Sequence, residues 1–210
     1  TWREIEIDVV AADGGLVLWA VSEHVEDAGV HSGDATLVLP PQTLYLPTIR
    51  RIKEIASTLA RELKIVGPFN MQFLAKKNSV KVIECNLRAS RSFPFVSKVT
   101  GNNFATEAGK RMLGAPGGGS NNSPDLNFVG VEVPMFSFSL PLGGEPILGV
   151  EMASTGEVGC LGRDLNEALL NGMLAAQFSF PKKGVLLSLG PKTEKYSFVD
   201  EARIIHDELG

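Results

Sequence analysis

The chain has 210 residues, 44% of them hydrophobic and 21% charged, with a formal net charge of -4. This ordinary globular composition excludes a mainly disordered chain, and no apolar run is long enough to span a membrane. The acidic balance speaks against nucleic acid as a partner. Two cysteines, Cys85 and Cys160, are too few for a disulfide framework or a cysteine-based zinc site, so a reducing compartment is expected. The sequence opens mid-pattern at Thr1-Trp2-Arg3-Glu4 without an initiator methionine, and is expected to be cut from something longer.

Ile5, Ile7 and Val9 alternate with Glu4, Glu6 and Asp8, and Asp13-Gly14-Gly15 turns the chain into a returning strand over 16–21. That reads as a hairpin with one polar face. A loop is expected from Glu23 to Asp34, then a short strand over 36–39 that stops at Pro40-Pro41. Ile49, Ile52, Ile55, Leu59 and Leu63 recur at helical spacing and predict an amphipathic helix over 44–64. Strands over 69–75 and 80–86 flank Lys76-Lys77-Asn78-Ser79 as a second hairpin, and a polar stretch from Arg88 to Lys98 leads to a helix over 104–113. The run from 114 to 125 is low-complexity, a mobile or engineered loop. Beyond it come strands near 128–136 and 147–152 and a helix over 165–176 with Asp164 as its cap. Near Pro181-Lys182-Lys183 the pattern changes to a short strand over 185–189 and a helix near 197–209. These resemble the opening strand and helix of a separate α/β unit.

The second hairpin carries the candidate chemistry. With its turn centred on Asn78, Gln72 lies opposite Glu84, and Asn86, two residues on, shares that face, while Ile83 and Phe73 point the other way. Oxygen donors with few carboxylates suit a hard divalent cation such as magnesium or manganese. A solvated strand face is the alternative. Arg88 and Arg91 follow at once, and guanidinium forks beside such a patch suit phosphate or carboxylate oxygens, although ordinary surface arginines would look the same. Together these groups suggest phosphoryl transfer. In Ala28-Gly29-Val30-His31-Ser32-Gly33-Asp34 the glycines permit close backbone approach to a ligand, but the spacing is not that of a Walker loop. His31 is there either to contact phosphate or to bond within a turn. His24 and His206 read as structural, and Cys85 as core.

The runs 24–34, 67–73, 83–98 and 151–158 closely resemble the large-subunit region of carbamoyl phosphate synthetase, with Ser92-Phe93-Pro94-Phe95 closest to its second, carbamate-phosphorylating half and to the eukaryotic type. The resemblance implies an α+β fold, the C-terminal part of an ATP-grasp unit with an antiparallel sheet and helices. It divides the chain into ATP-grasp residues 1–113, the loop 114–125, the rest of that unit over 126–181, and the start of a methylglyoxal-synthase-like regulatory domain over 182–210. It implies ATP and two magnesium or manganese ions, held by Gln72, Glu84 and Asn86, with Gly29, Val30, His31 and Ser32 lining the nucleotide. Arg88 and Arg91 would face carbamate and the moving phosphoryl group, and Met152 and Glu157 would lie near the carbamate passage. Expected partners are the rest of the synthetase and a glutaminase domain or subunit, in the cytoplasm or, for a urea-cycle type, the mitochondrion. The lid strands and the ribose-binding carboxylate of such a unit are expected upstream of Thr1, which puts adenine binding by the chain alone in question. Another ATP-grasp ligase of the biotin carboxylase kind, or a non-catalytic metal-binding fragment, are the alternatives.

Overall fold

The computed structural model describes residues 2–116, 126–137, 148–190 and 192–209. Two compact units divide at Gln177 and Phe178. In the first, strands β1 (Arg3–Ala12), β2 (Gly15–Asp27), β3 (Leu37–Leu39), β4 (Gly67–Lys76), β5 (Ser79–Asn86), β6 (Val129–Met135) and β7 (Gly156–Gly162) form one antiparallel sheet, ordered β5-β4-β1-β2-β3-β6-β7. Helices α1 (Leu46–Glu62), α2 (Phe93–Thr100), α3 (Phe104–Met112) and α4 (Leu165–Ala175) cover it. The antiparallel α+β expectation holds.

One face of β1 buries Ile5, Ile7 and Val9 beneath α1. Proline in the first turn of α1 needs no intrahelical partner, and the buried stripe runs through Thr48, Ile52, Ala56 and Ala60. The stripe is thus rotated from the expected one: small alanines sit against the sheet and Leu63 is exposed. The other face of β1 changes character along its length. Val10 and Ala12 pack with Phe93, Val96, Val99 and Phe104 of α2 and α3, whereas Glu4, Glu6 and Asp8 stay clear of that hydrocarbon but are buried all the same. The polar face of the first hairpin is therefore interior.

Several expected boundaries move. β2 runs on to Asp27, so only the end of the 23–34 segment is loop, closing in a short 3-10 turn at Ser32–Asp34. The stretch after Arg91 holds α2, begun by Phe93-Pro94 and ended by Gly101 at φ 70°, a left-handed position that glycine takes without strain. Residues 148–152 form no strand; the pairing partner of β6 is β7, further on. A glycine at every third position of Gly156–Gly162 hides it from a search for β-branched runs. Asp164 does cap α4, accepting from Glu167 N at 2.9 Å. The 114–125 run lies, from 117 onward, outside the described residues.

In the second unit, α5 (Lys192–Ser197) and α6 (Val199–Leu209) replace the single expected helix. Residues 185–189 are not a strand, because among the described residues of this unit no segment pairs with them and a lone strand leaves its backbone groups unbonded. His206 is exposed beside Asp207 rather than structural.

Candidate functional site

The acidic end of β1 opens on a cavity of about 300 Å³. Antiparallel pairing sets Asn70 opposite Asp8 and Gln72 opposite Glu6. Asn70 Nδ2 donates to Asp8 Oδ1 at 2.9 Å and to Glu6 Oε2 at 3.2 Å, while His24 Nε2 lies 3.2 Å from Glu6 Oε1. Ser92 Oγ donates to Asp8 Oδ2 at 2.6 Å and Ser90 Oγ to Asp8 Oδ1. Burial, and next the neighbouring Glu6, push the Asp8 carboxyl up to about 6 against the pull of those three donors.

Gln72 faces Glu84 and Asn70 faces Asn86 across β4 and β5, as the hairpin geometry requires. The cause differs from the expected one. The connecting residues are Lys77 and Asn78, so Lys76 pairs with Ser79 and an unbroken ladder would bring Ile83 opposite Gln72. A bulge between Gln72 and Phe73 absorbs Ile83 and restores Glu84 to that place. It also re-aims Ile83, which lines the same hollow as Glu84 instead of the opposite face. Cys85, half-buried against the core under α1, is a packing residue whose thiol burial pushes up.

The donor set suits a divalent cation shared with phosphates. Glu84 supplies one exposed carboxylate, Asn86 Nδ2 sits 2.6 Å from Glu84 Oε1, and Gln72 Nε2 lies 2.9 Å from Ser32 Oγ. Rotating either amide presents its oxygen, since the two ends are interchangeable in shape. Among the described residues no three His, Cys, Asp or Glu side chains gather around one point. One carboxylate and two amides leave an ion most of its charge and coordination for phosphate and water.

Arg91 is held from several sides. Its Nη2 meets Glu157 Oε2 at 3.1 Å, and its Nη1 lies 2.9 Å from Met152 Sδ and 3.4 Å from Ser154 Oγ. Among the described residues Arg88 bonds the neighbouring Ala89 carbonyl at 3.2 Å and no other group, leaving most of its fork for a ligand in the same cavity. The strand-free 152–155 segment is tied to the 3-10 turn by buried Asp34, which accepts Ala153 N at 2.7 Å and Ser154 N at 2.8 Å, while Ser154 Oγ donates to Gly33 O at 2.6 Å. Burial opposes ionisation of Asp34, but the bonds from Ser154 and the Ala153 backbone together hold its carboxyl below the usual range.

His31 accepts Gly33 N–H at Nδ1, 3.0 Å away, which leaves Nε2 as the ring's donor toward the cavity. Gly29, at φ 115°, takes a conformation open to glycine, and its N–H points to Glu4 Oε2 at 3.4 Å. Gly29 and Val30 line a second, open hollow with Leu74, Ile83 and Glu84; His31, Ser32 and Gln72 border both hollows. Every candidate residue therefore lies along one continuous surface. Glu6, Asp8, His24, Asn70, Ser90, Ser92, Glu132 and Ser154 were not expected there. Alternation on β1 and the matching Asn70 and Gln72 on β4 were the available sign, but alternation alone does not tell which face a later segment will cover.

Residues 1–116 match the family described as carbamoyl-phosphate synthase L chain, ATP binding domain. The chain is 54% identical to the multifunctional protein pyrABCN of Emericella nidulans over 92% of its own length and 8% of that protein's. It is 48% identical to the multifunctional protein CAD of Squalus acanthias, covering 99% of itself and 9% of the relative. With the mitochondrial carbamoyl-phosphate synthase (ammonia) of Homo sapiens it shares 46% identity over 98% of itself and 14% of the relative. The chain thus spans a small part of each. Among solved structures, N5-carboxyaminoimidazole ribonucleotide synthetase from Thermotoga maritima superposes at TM-score 0.62 with 15% identity, covering 83% of this chain and 51% of that one. Biotin carboxylase from Campylobacter jejuni gives 0.61 with 19% identity, covering 83% and 45%. Both likenesses concern the fold.

Proposed function

From the premise that the chain belongs to the carbamoyl-phosphate synthase large-chain ATP-binding family, we propose that its cavity serves ATP-dependent phosphorylation of carbamate, yielding carbamoyl phosphate and ADP. One observation carries the reading: the Gln72, Glu84 and Asn86 oxygens sit on paired strands and share a continuous surface with Arg88 and Arg91.

In this reading the nucleotide lies in the open hollow against Gly29 and Val30, and its phosphates cross the ridge of His31, Ser32 and Gln72 into the inner cavity. Gln72, Glu84 and Asn86 would hold two magnesium or manganese ions, whose chemistry there would be to neutralise charge on the nucleotide's phosphates. Arg88 uses its free fork on the moving phosphoryl group. Arg91, fixed by Glu157 and Ser154, presents carbamate in line for attack, so the entropic cost of alignment is met before the reaction. The His31 Nε2–H, fixed by the Gly33 bond, donates toward phosphate oxygen. Residues 182–210 are read as the start of a regulatory domain, and the remaining synthetase parts with a glutaminase domain or subunit as partners. A cytoplasmic or mitochondrial setting and a place in pyrimidine or arginine synthesis belong to the same proposal.

The test is a segment swap. This chain replaces the matching stretch of the human ammonia-using synthase, and the hybrid is assayed for carbamoyl phosphate from bicarbonate, ammonia and ATP-magnesium. Turnover within about 30-fold of the host supports the reading. A folded, ATP-binding hybrid with no product refutes it.

A further inference from the structure

Glu132 lines the cavity and has no task in the proposed reaction. It lies on β6, on the face opposite the Val131 and Val133 side chains that pack against α4, and pairs with Leu37 of β3. The residue is 6% exposed, lines the cavity, and has no hydrogen-bond partner for its carboxyl among the described residues. That separates it from the other buried acids of the site. Asp8 has three donors, Glu6 has Asn70 and His24, and Asp34 has two backbone N–H groups.

The geometry points to Glu132 as a neutral carboxylic acid that donates a hydrogen bond to an oxygen of an anionic substrate of the carbamate or carboxylate class, held on its other side by Arg91. A buried carboxylate without donors is costly, and among the described residues no donor of the cavity is bonded to it. The charged groups around it are mostly of its own sign: Glu6 and Asp8 on β1 and Glu157 on β7. Arg91 faces it from the segment before α2 but is already paired with Glu157, and Lys98 of α2 borders the hollow on its far side. Desolvation first, then Glu157, Asp8 and Glu6, push its carboxyl up to about 8, with Arg91 opposing. The proton is kept throughout. No bond is made or broken at Glu132, and its effect is to turn an acceptor that would repel an anion into a donor that selects one.

This inference rests on the proposed function for the identity of the anion, but not for the proton, and the experiment keeps the two apart. Infrared difference spectra of the 210-residue chain at pH 7, wild type against Glu132→Gln, should show loss of one protonated-carboxyl carbonyl band, whatever reaction the protein serves. In the hybrid synthase, the back reaction from ADP and carbamoyl phosphate should keep its kcat/KM within about 3-fold for Glu132→Gln, whose amide still donates. It should fall about 10-fold for Glu132→Leu, chiefly through the KM for carbamoyl phosphate. The wild-type rate should drop as pH rises past about 8 while the glutamine variant stays level. No band lost at pH 7, a glutamine variant as impaired as leucine, or a leucine variant as active as wild type each overturns the assignment. A hybrid that is silent with Glu132 intact sinks the proposed function, and the infrared result still decides the proton.

Discussion

Asp34 shows how one carboxylate can fix a site without touching a ligand. It is fully buried and joins the turn that carries His31 to the segment that carries Met152 and Ser154, so the seat of Arg91 depends on it. Asp34→Ala strands two backbone N–H groups and should cost about 3 kcal/mol in urea unfolding, or ~6–12 °C in Tm. A cost under about 1 kcal/mol would mean that the segment is held by other contacts. Because its folded pKa is depressed, this contribution is present above the unfolded value near 3.8 and is lost as pH falls through the lower folded one.

Elements here are fixed by close approach as much as by propensity. A Cβ on Gly162 would meet Ala168 N at 2.3 Å and Cα at 2.8 Å, a backbone collision that side-chain rotation cannot relieve. Gly162→Ala should therefore loosen α4 from β6 and β7 and destabilise by about 3 kcal/mol. On α3, Gly109 has nothing within 4 Å of the same position, and Gly109→Ala should leave stability level or add roughly 0.5–1 kcal/mol. Paired chemical-denaturation curves check both, and equal effects would contradict the packing account. The same contrast explains what was legible in the sequence. Strong periodicity gave α1 and the two hairpins, and two-residue alternation put Gln72, Glu84 and Asn86 on one edge. β7 was hidden because Gly159 answers to Phe95 of α2, far off in sequence, and Gly162 to the close approach of α4, neither of which shows in strand propensity. Glu6 and Asp8 read only as a polar face because their burial is imposed by Ser90, Ser92 and Asn70, none of them local. The bulge at Ile83 was invisible for the same reason: ladder register is set by pairing energy, not by counting from a turn.

Across the whole first unit, the buried acids should dominate the pH dependence of stability. Glu132 stays protonated in the fold up to about 8 but ionises from about 4.5 when unfolded, and Asp8 behaves likewise between 3.8 and about 6. Raised carboxylate pKa values mean that the folded state binds more protons over those intervals, so stability falls as pH rises through them. For Glu132 the interval corresponds to roughly 3–5 kcal/mol at about 1.4 kcal/mol per unit. Thermal scans from pH 5 to 9 should show Tm declining with pH, and Glu132→Gln should flatten the slope and raise Tm at pH 8 by several degrees. A parallel slope in the variant would place the charge cost elsewhere. Beneath this pattern lies the claim that a sheet edge of one carboxylate and two amides, beside two arginines, is a phosphoryl-transfer floor. The measurement that tests it most directly is ATP formation from ADP and carbamoyl phosphate by the hybrid synthase with Glu84→Gln. The account predicts a fall of about 1,000-fold or more with the fold intact by circular dichroism. A rate near that of the unmutated hybrid would contradict it.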